Sequence, residues 1–323
     1  MELHTTRVRP GRVIHTAQAL VDAVAEVPSL PRRGGNVMAS DFTRHAAGAV
    51  NILLAARRQG AECVHAGAVG TGPNGDLIRS VLAAEGVEVA GDPVPDSDSG
   101  ICFVMVEPGA ERTFVTTLGA ERQLTTEHLD ACHPEAGDVV CVSGYSLAVD
   151  STRIPLITWL SMLPQGVAVV LDPGAVFEEL PQDLQDTMLA LTTVWTGNGE
   201  ETEALTGEAD MEKAAEAAAT KLPPDAIAIV RDGRRGCAVH AAGRTTVVPG
   251  FPQTPVDTNG AGDAHTGALV AARQQGMGWE AACRHANAAA AIKVTRKGPA
   301  TAPTADEVNA FLANWQEPTP TQG

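Results

Sequence analysis

Three stretches of this chain, DVVCVSG from Asp138, VAVVLDP from Val167 and LTTVWTGN from Leu191, are apolar runs of strand length that stop at a polar or glycine-bearing loop. A strand with one wet face alternates apolar and polar residues. An unbroken run therefore marks a strand buried on both faces, the condition of a parallel sheet under crossover helices. AIAIV from Ala226 and CAVHA from Cys237 add further strands. Between and around them EETEALTG, MEKAAEAAATKL and WEAACRHANAAAAIKV read as helices, the last two rich in alanine. Upstream, AVNILLAARRQ reads as helix, AECVHAGAV as strand and DLIRSVLAAEG as helix, so the βα rhythm begins early. The 323 residues suit one large α/β domain. The expectation is a three-layer α/β fold with a mostly parallel central sheet, whose strand ends are the place for chemistry.

Two segments break the rhythm. Pro28, Pro31, Gly34 and Gly35 punctuate residues 24–43, and residues 99–117 hold two β-rich runs separated by a Pro-Gly pair and charge. A hairpin suits the second segment better than a crossover helix, and together they predict a small β-lid inserted in a domain over residues 10–305. Residues 306–323 are expected to hold the remainder of a terminal helix and a flexible tail, EPTPTQG. An exposed apolar lid surface can be covered by the lid of a second subunit, so the expected assembly is a homodimer, with a self-covering monomer as the alternative.

The formal net charge of −16 argues against a cationic nucleic-acid surface and confines an anionic substrate to a local basic pocket. Six cysteines, at 63, 102, 132, 141, 237 and 283, form no CxxC pair, which favours separate thiols in a reducing compartment. With no apolar run of membrane length and no signal-peptide core at the N-terminus, the expected location is cytoplasmic, without a membrane partner.

Two glycine-bearing turns compete for the chemistry. Gly70, Gly72 and Gly75 in AVGTGPNGD fit GxGxxG after a strand and before a helix, the context of a dinucleotide site in an NAD-dependent oxidoreductase. Against it, Pro73 sits inside the motif, and the next acidic residues fall in the PDSDSG turn, away from the strand end where a ribose-binding carboxylate belongs. The second turn, in PVDTNGAGDAHTGALVAA, opens a helix. Gly260, Ala261 and Gly262 can present adjacent N–H groups to a phosphate, and Asp263 is near enough to take a proton from an incoming hydroxyl. Asp263 could equally cap the helix over an entry turn made by the glycines, and Asp257 could bind a substrate hydroxyl or the turn backbone. GxxxxGK[ST] is absent, so a nucleotide triphosphate would need another cradle.

DTNGAGDAHTGA resembles the DTxGAGDxFxGA signature of the ribokinase-like PfkB carbohydrate kinases. The resemblance runs through most of residues 10–305. LVDAVAEVPSLPRRGG resembles the family's sugar-binding strand and lid entry, GAVNILLAARRQGAECVHAGAVGTGPNGDLI its first signature, and TGNGEE supplies an NxxE match at Asn198 and Glu201. It implies a ribokinase-like fold and ATP-dependent phosphotransfer to a sugar hydroxyl, with Asp263 as base and Gly260, Ala261 and Gly262 as the anion hole. Asp22 and Asn51 are then expected to hold substrate hydroxyls. Asn198 and Glu201 resemble the network that organises phosphate, water and Mg²⁺, in keeping with the need of ATP for a divalent cation. RDGRRG, with Arg231, Gly233 and Gly236, resembles the loop near the nucleotide, and Asn287 a residue lining the adenine side. That last segment, with Asp257 and the loop through Gly298, resembles the monovalent-cation site of many relatives, which implies K⁺ without identifying its ligands.

The sequence departs from the family pattern in four places. Ala46 and Ala47 replace a glycine pair, Leu20 replaces an asparagine, His265 stands where an aromatic is common, and Arg231 replaces a small hydroxyl residue. The alanine pair and Leu20 bear on ribose as substrate, so the expected acceptor is a small sugar or polyol, with a nucleoside as the alternative. Each borrowed role also has a plain structural counterpart: caps or interior hydrogen bonds for Asp22 and Asn51, a turn and acidic helix start for Asn198 and Glu201, solvent for Arg231. Behind the kinase stand the oxidoreductase and a noncatalytic ligand sensor.

Overall fold

The structure, a computed structural model, describes residues 11–109 and 111–316. Its strands are β1 Val13–His15, β2 Ala19–Glu26, β3 Asp41–Gly48, β4 Cys63–His65, β5 Glu88–Val89, β6 Ile101–Val106, β7 Arg112–Thr116, β8 Val139–Ser143, β9 Ala168–Asp172, β10 Val194–Asn198, β11 Ile227–Arg231, β12 Gly236–Ala241 and β13 Arg244–Pro249. Its helices are α1 Ala49–Arg58, α2 Pro73–Ala84, α3 Thr126–Asp130, α4 Asp150–Leu160, α5 Gln182–Leu191, α6 Gly199–Thr206, α7 Met211–Ala219, α8 Ala261–Gln274, α9 Trp279–Lys293 and α10 Ala305–Asn314.

Nine strands form one sheet in the order β13-β12-β11-β10-β9-β8-β1-β4-β5, parallel except that β12 pairs antiparallel with both β11 and β13. The unbroken apolar runs have the predicted cause. Val169 and Leu171 of β9 enter a core with Leu156 and Trp159 of α4, while Val170 between them enters another with Leu269 of α8 and Ala286 of α9. Helices thus cover both faces, giving the three-layer α/β fold with a mostly parallel sheet.

A second sheet, β3-β2-β6-β7, makes the lid. β2 and β6 run parallel, and the β6–β7 hairpin pairs Val106 with Arg112 around the Pro-Gly turn. The ladder of β2 with β3 runs from Ala19 opposite Gly48 to Glu26 opposite Asp41, wider than the segment 24–43. Prolines and glycines there mark the connection between the strands, while at the ends that join the body the only such residue is Gly48, at φ 68° before α1. At the C-terminus α10 starts on a Thr304 capping box; residues 317–323 of the expected tail lie outside the described residues. Among the described residues no helix is long and apolar enough to cross a membrane.

Candidate active site

Asp263 is the third residue of α8 and Asn51 the third of α1, and packing brings the two together. Four residues beyond Asp263, Gly267 faces Ala55, four residues beyond Asn51. A Cβ on Gly267 would lie 2.5 Å from Ala55 Cβ and 2.6 Å from Ile52 O, so only glycine lets the helices approach this closely. They meet in parallel, with both N-termini at one place. Asn51 Nδ2 accordingly donates to Asp263 Oδ2 at 2.9 Å.

The entry to α8 is set by Gly260, at φ 78°, where a Cβ would also strike Pro299 O. Of the predicted donors, the Ala261 N–H turns back to Thr258 O at 3.2 Å. The N–H groups of Gly262 and Asp263 meet no acceptor among the described residues, and they stand at the positive end of the helix. Burial pushes the Asp263 carboxyl up to about 6, nearby Asp172 adds to the rise, and Asn51, Arg231 and Lys293 oppose it. Asp22, on lid strand β2, is likewise pushed up to about 6, by burial and then by the charge of Asp263.

Arg231 ends β11 beneath the GAG turn, its Nη1 2.6 Å from where a Gly262 Cβ would be. It pairs with Asp172 at 3.4 Å and Glu201 at 3.6 Å, so it faces carboxylates and not solvent. Burial would lower its pKa, but Asp172, Glu201 and Asp263 carry it above the usual arginine value. Its Nε and the Oδ1 of Asn51 are buried without a hydrogen-bond partner among the described residues. Asn198 and Glu201 form the capping box of α6: Asn198 Oδ1 accepts the Glu201 N–H at 2.8 Å, and Glu201 Oε2 accepts the Asn198 N–H at 2.7 Å. Gly233 opens the turn after β11, with free space where a side chain would be. At Gly236 a Cβ would strike Val248 O, so that glycine serves the pairing of β12 with β13. Asn287 is turned inward: Nδ2 donates to Val248 O at 3.0 Å, and Oδ1 lies 3.1 Å from His265 Nε2. Asp257 lies in the turn before α8, where its Oδ1 accepts the Asn259 N–H at 2.9 Å and Arg112 Nη2 of the lid at 2.6 Å.

Sequence reasoning did not single out Asp172, Thr266, Arg112 or Lys293. Asp172 ends the VAVVLDP run, and a carboxylate at the carboxyl end of a buried parallel strand was the available signal. Thr266 Oγ1 donates to its Oδ2 at 3.2 Å. The competing glycine motif is closed from within. The Asp98 carboxylate accepts the N–H groups of Asn74 at 3.1 Å and Gly75 at 2.9 Å, filling the mouth of α2 where a pyrophosphate would sit.

The pfkB family carbohydrate kinase model matches residues 12–306. The chain is similar to an uncharacterised sugar kinase, YegV, of Escherichia coli K12, 31% identical over 303 residues that cover 92% of each protein. It is similar to the ribokinase of Haemophilus influenzae, 28% identical over 90% of this chain and 95% of the other. In fold it resembles an Escherichia coli protein assigned as a ribokinase II and solved with ATP and Mg²⁺, with TM-score 0.80, 24% identity, and coverage of 94% and 99%. With its GAGD turn, its lid and this match over nearly its whole length, the chain belongs to the pfkB family of carbohydrate kinases.

Proposed function

We propose that this kinase transfers the γ-phosphoryl group of ATP to a hydroxyl of a small sugar or sugar-like polyol, with Asp263 as the base. The observation that carries the reading is one helix end: a carboxylate held by Asn51 next to two N–H groups without acceptors. The acceptor oxygen bonds to the γ-phosphorus as the bond to the ADP oxygen breaks, and the hydroxyl proton passes to Asp263. Gly262 and Asp263 N–H groups, with Gly260 and Ala261 shaping their turn, face the charge on the transferring group. Asn51 and Asp22 are the polar side chains beside Asp263 that would meet the acceptor hydroxyls, and Asp257 steadies the turn into α8.

Arg231, with Asn198, Glu201 and the Gly233 turn, forms the nucleotide side, while Gly236 and Asn287 support it from behind. The divalent ion that accompanies ATP would be carried largely by phosphate oxygens and water. Mg²⁺ so bound would neutralise phosphate charge, and Glu201 and Asp172, the carboxylates beside Arg231, would hold its water. The exposed lid residues Phe42, Phe103 and Val115, which share one face of the lid sheet, support a homodimer closed through the lids. Six buried, unpaired cysteines support a reducing, cytoplasmic location.

An ATP-dependent screen of pentoses, hexoses, ketosugars, sugar acids and nucleosides tests the acceptor, with the phosphorylated position identified in each product. A sugar or polyol is expected to give the highest kcat/KM. A nucleoside that outruns every sugar would overturn the acceptor class and leave the proton-transfer scheme intact.

A further inference from the structure

Lys293 is the last residue of α9, and its side chain is 0% exposed, a setting lysine takes almost only with a partner. Its Nζ donates to the main-chain oxygen of Asp257 at 2.8 Å. The carboxylate of Asp257 meanwhile accepts the Gly298 N–H at 2.9 Å, besides the Asn259 N–H and the Arg112 guanidinium of the lid. Main-chain bonds tie the same turn to the end of α9, since the N–H groups of Val256 and Asp257 donate to Val294 O at 2.7 and 3.1 Å. Asp257 is thus a node where three parts meet: the turn into α8, the loop after α9 and the lid.

The monovalent cation implied by the family resemblance would draw on this node, and the residues do not fit it. The Asp257 main-chain oxygen is taken by an ammonium group, and the carboxylate is already engaged by Arg112 and by the Asn259 and Gly298 N–H groups. We propose that Lys293 is the built-in cation of this node, a positioning residue that holds the turn leading into the anion hole without a bound K⁺. An ammonium is a compact point charge that gathers oxygens around it, and on a side chain it cannot dissociate.

Because this role presupposes phosphotransfer at Asp263, turnover and cation binding are read separately. Initial rates with the best acceptor are compared in K⁺, Na⁺ and tetramethylammonium chlorides at equal ionic strength, for the wild type, Lys293→Ala and Lys293→Met. The wild type is expected to vary by less than about twofold among the three salts. Lys293→Ala should lose about a hundredfold in kcat, the scale of a displaced reacting group, and regain about tenfold in K⁺ but not in tetramethylammonium. Lys293→Met, which fills the space with an apolar chain, should lose as much and regain nothing. Without substrates, K⁺ should raise the melting temperature of Lys293→Ala and leave the wild type unchanged, since an ion bound only by the folded state stabilises it.

Strong activation of the wild type by K⁺ overturns the role, as does a folded Lys293→Ala with wild-type kcat in tetramethylammonium. If neither variant folds, the wild type decides alone: indifference to K⁺ supports the built-in cation and activation refutes it. No turnover with any acceptor in any salt would count against the kinase reading, while the melting comparison would still report on Lys293.

Discussion

The nine-stranded sheet and the four-stranded lid are both rich in β-branched and apolar residues, yet they dispose of them differently. In β9 the neighbours Val169 and Val170 enter two separate cores, one on each face. In β6 the neighbours Phe103 and Val104 part company: Val104 is buried, and Phe103 stands in the open on the face it shares with Phe42 and Val115, the latter two 60% and 55% exposed. The body is closed on itself, whereas the lid is half finished. Its link to the site is polar, Arg112 to Asp257 at 2.6 Å, with an exposed pair from Lys297 to Glu26 at its margin. Substitutions in the body should therefore act on kcat or stability, and those in the lid on KM or assembly.

The largest effect is expected at Asp263. Asp263→Asn should lower kcat by about 10²- to 10⁴-fold, the usual reach of a positioned base, with nucleotide affinity kept. Its melting temperature at pH 8 should not fall, because a carboxylate that burial disfavours has been removed. A loss below about tenfold would undo the assignment. The same carboxyl, pushed up to about 6, predicts an acid limb in kcat/KM near that pH, with activity falling below it. Stability runs the other way. Asp22 and Asp263 have folded values above the ordinary 3.8, so the stability they contribute is full below 3.8 and lost as the pH rises through about 6.

Next comes Gly267→Val, which should cost about 1–3 kcal/mol in denaturant unfolding through overpacking. It should also depress kcat by parting Asn51 from Asp263. Full activity in such a variant would show that the helix contact does not set the pair. In the lid, Arg112→Ala should raise the acceptor KM about tenfold while stability stays within about 1 kcal/mol, as for a partly exposed ion pair. An effect confined to kcat would assign Arg112 to the body's machinery. The smallest change in stability, within about 0.5 kcal/mol for the subunit, is expected for Phe103→Ser with Val115→Ser. Light scattering across concentration should nevertheless show that pair shifting a dimer towards monomer.

The difference between body and lid also governed what could be read in advance. Strands buried on two faces write themselves as unbroken runs, so DVVCVSG and VAVVLDP were legible with their polarity and layer. The lid strands ALVDAVAE and DFTRHAAG join the body with a single turn residue, Gly48, to mark the place, and their span was underestimated. In the site, the GAGD turn was legible because glycine and carboxylate chemistry is local. Lys293 and Arg112 were not, since their meaning comes from Asp257, 36 and 145 residues away. Asp98 shows the converse, a motif matched in letters whose anion is supplied by the chain itself.

The contact of Gly267 with Ala55 has a consequence for inheritance. Asn51 and Asp263 ride on two helices locked through that contact, whereas Leu20 and Asp22 ride on β2, with Ala47 and Ala46 opposite Leu20 and Val21 on β3. A lineage can exchange one acceptor for another by altering positions 20, 46 and 47 while the phosphoryl-handling helices descend unchanged. Position 267 has no such latitude, because a single methyl group there would be felt at once by the packing and by the proton's path. Redesign of acceptor choice belongs on the two lid strands, and directed evolution that samples them should recover new substrates far more often than new folds.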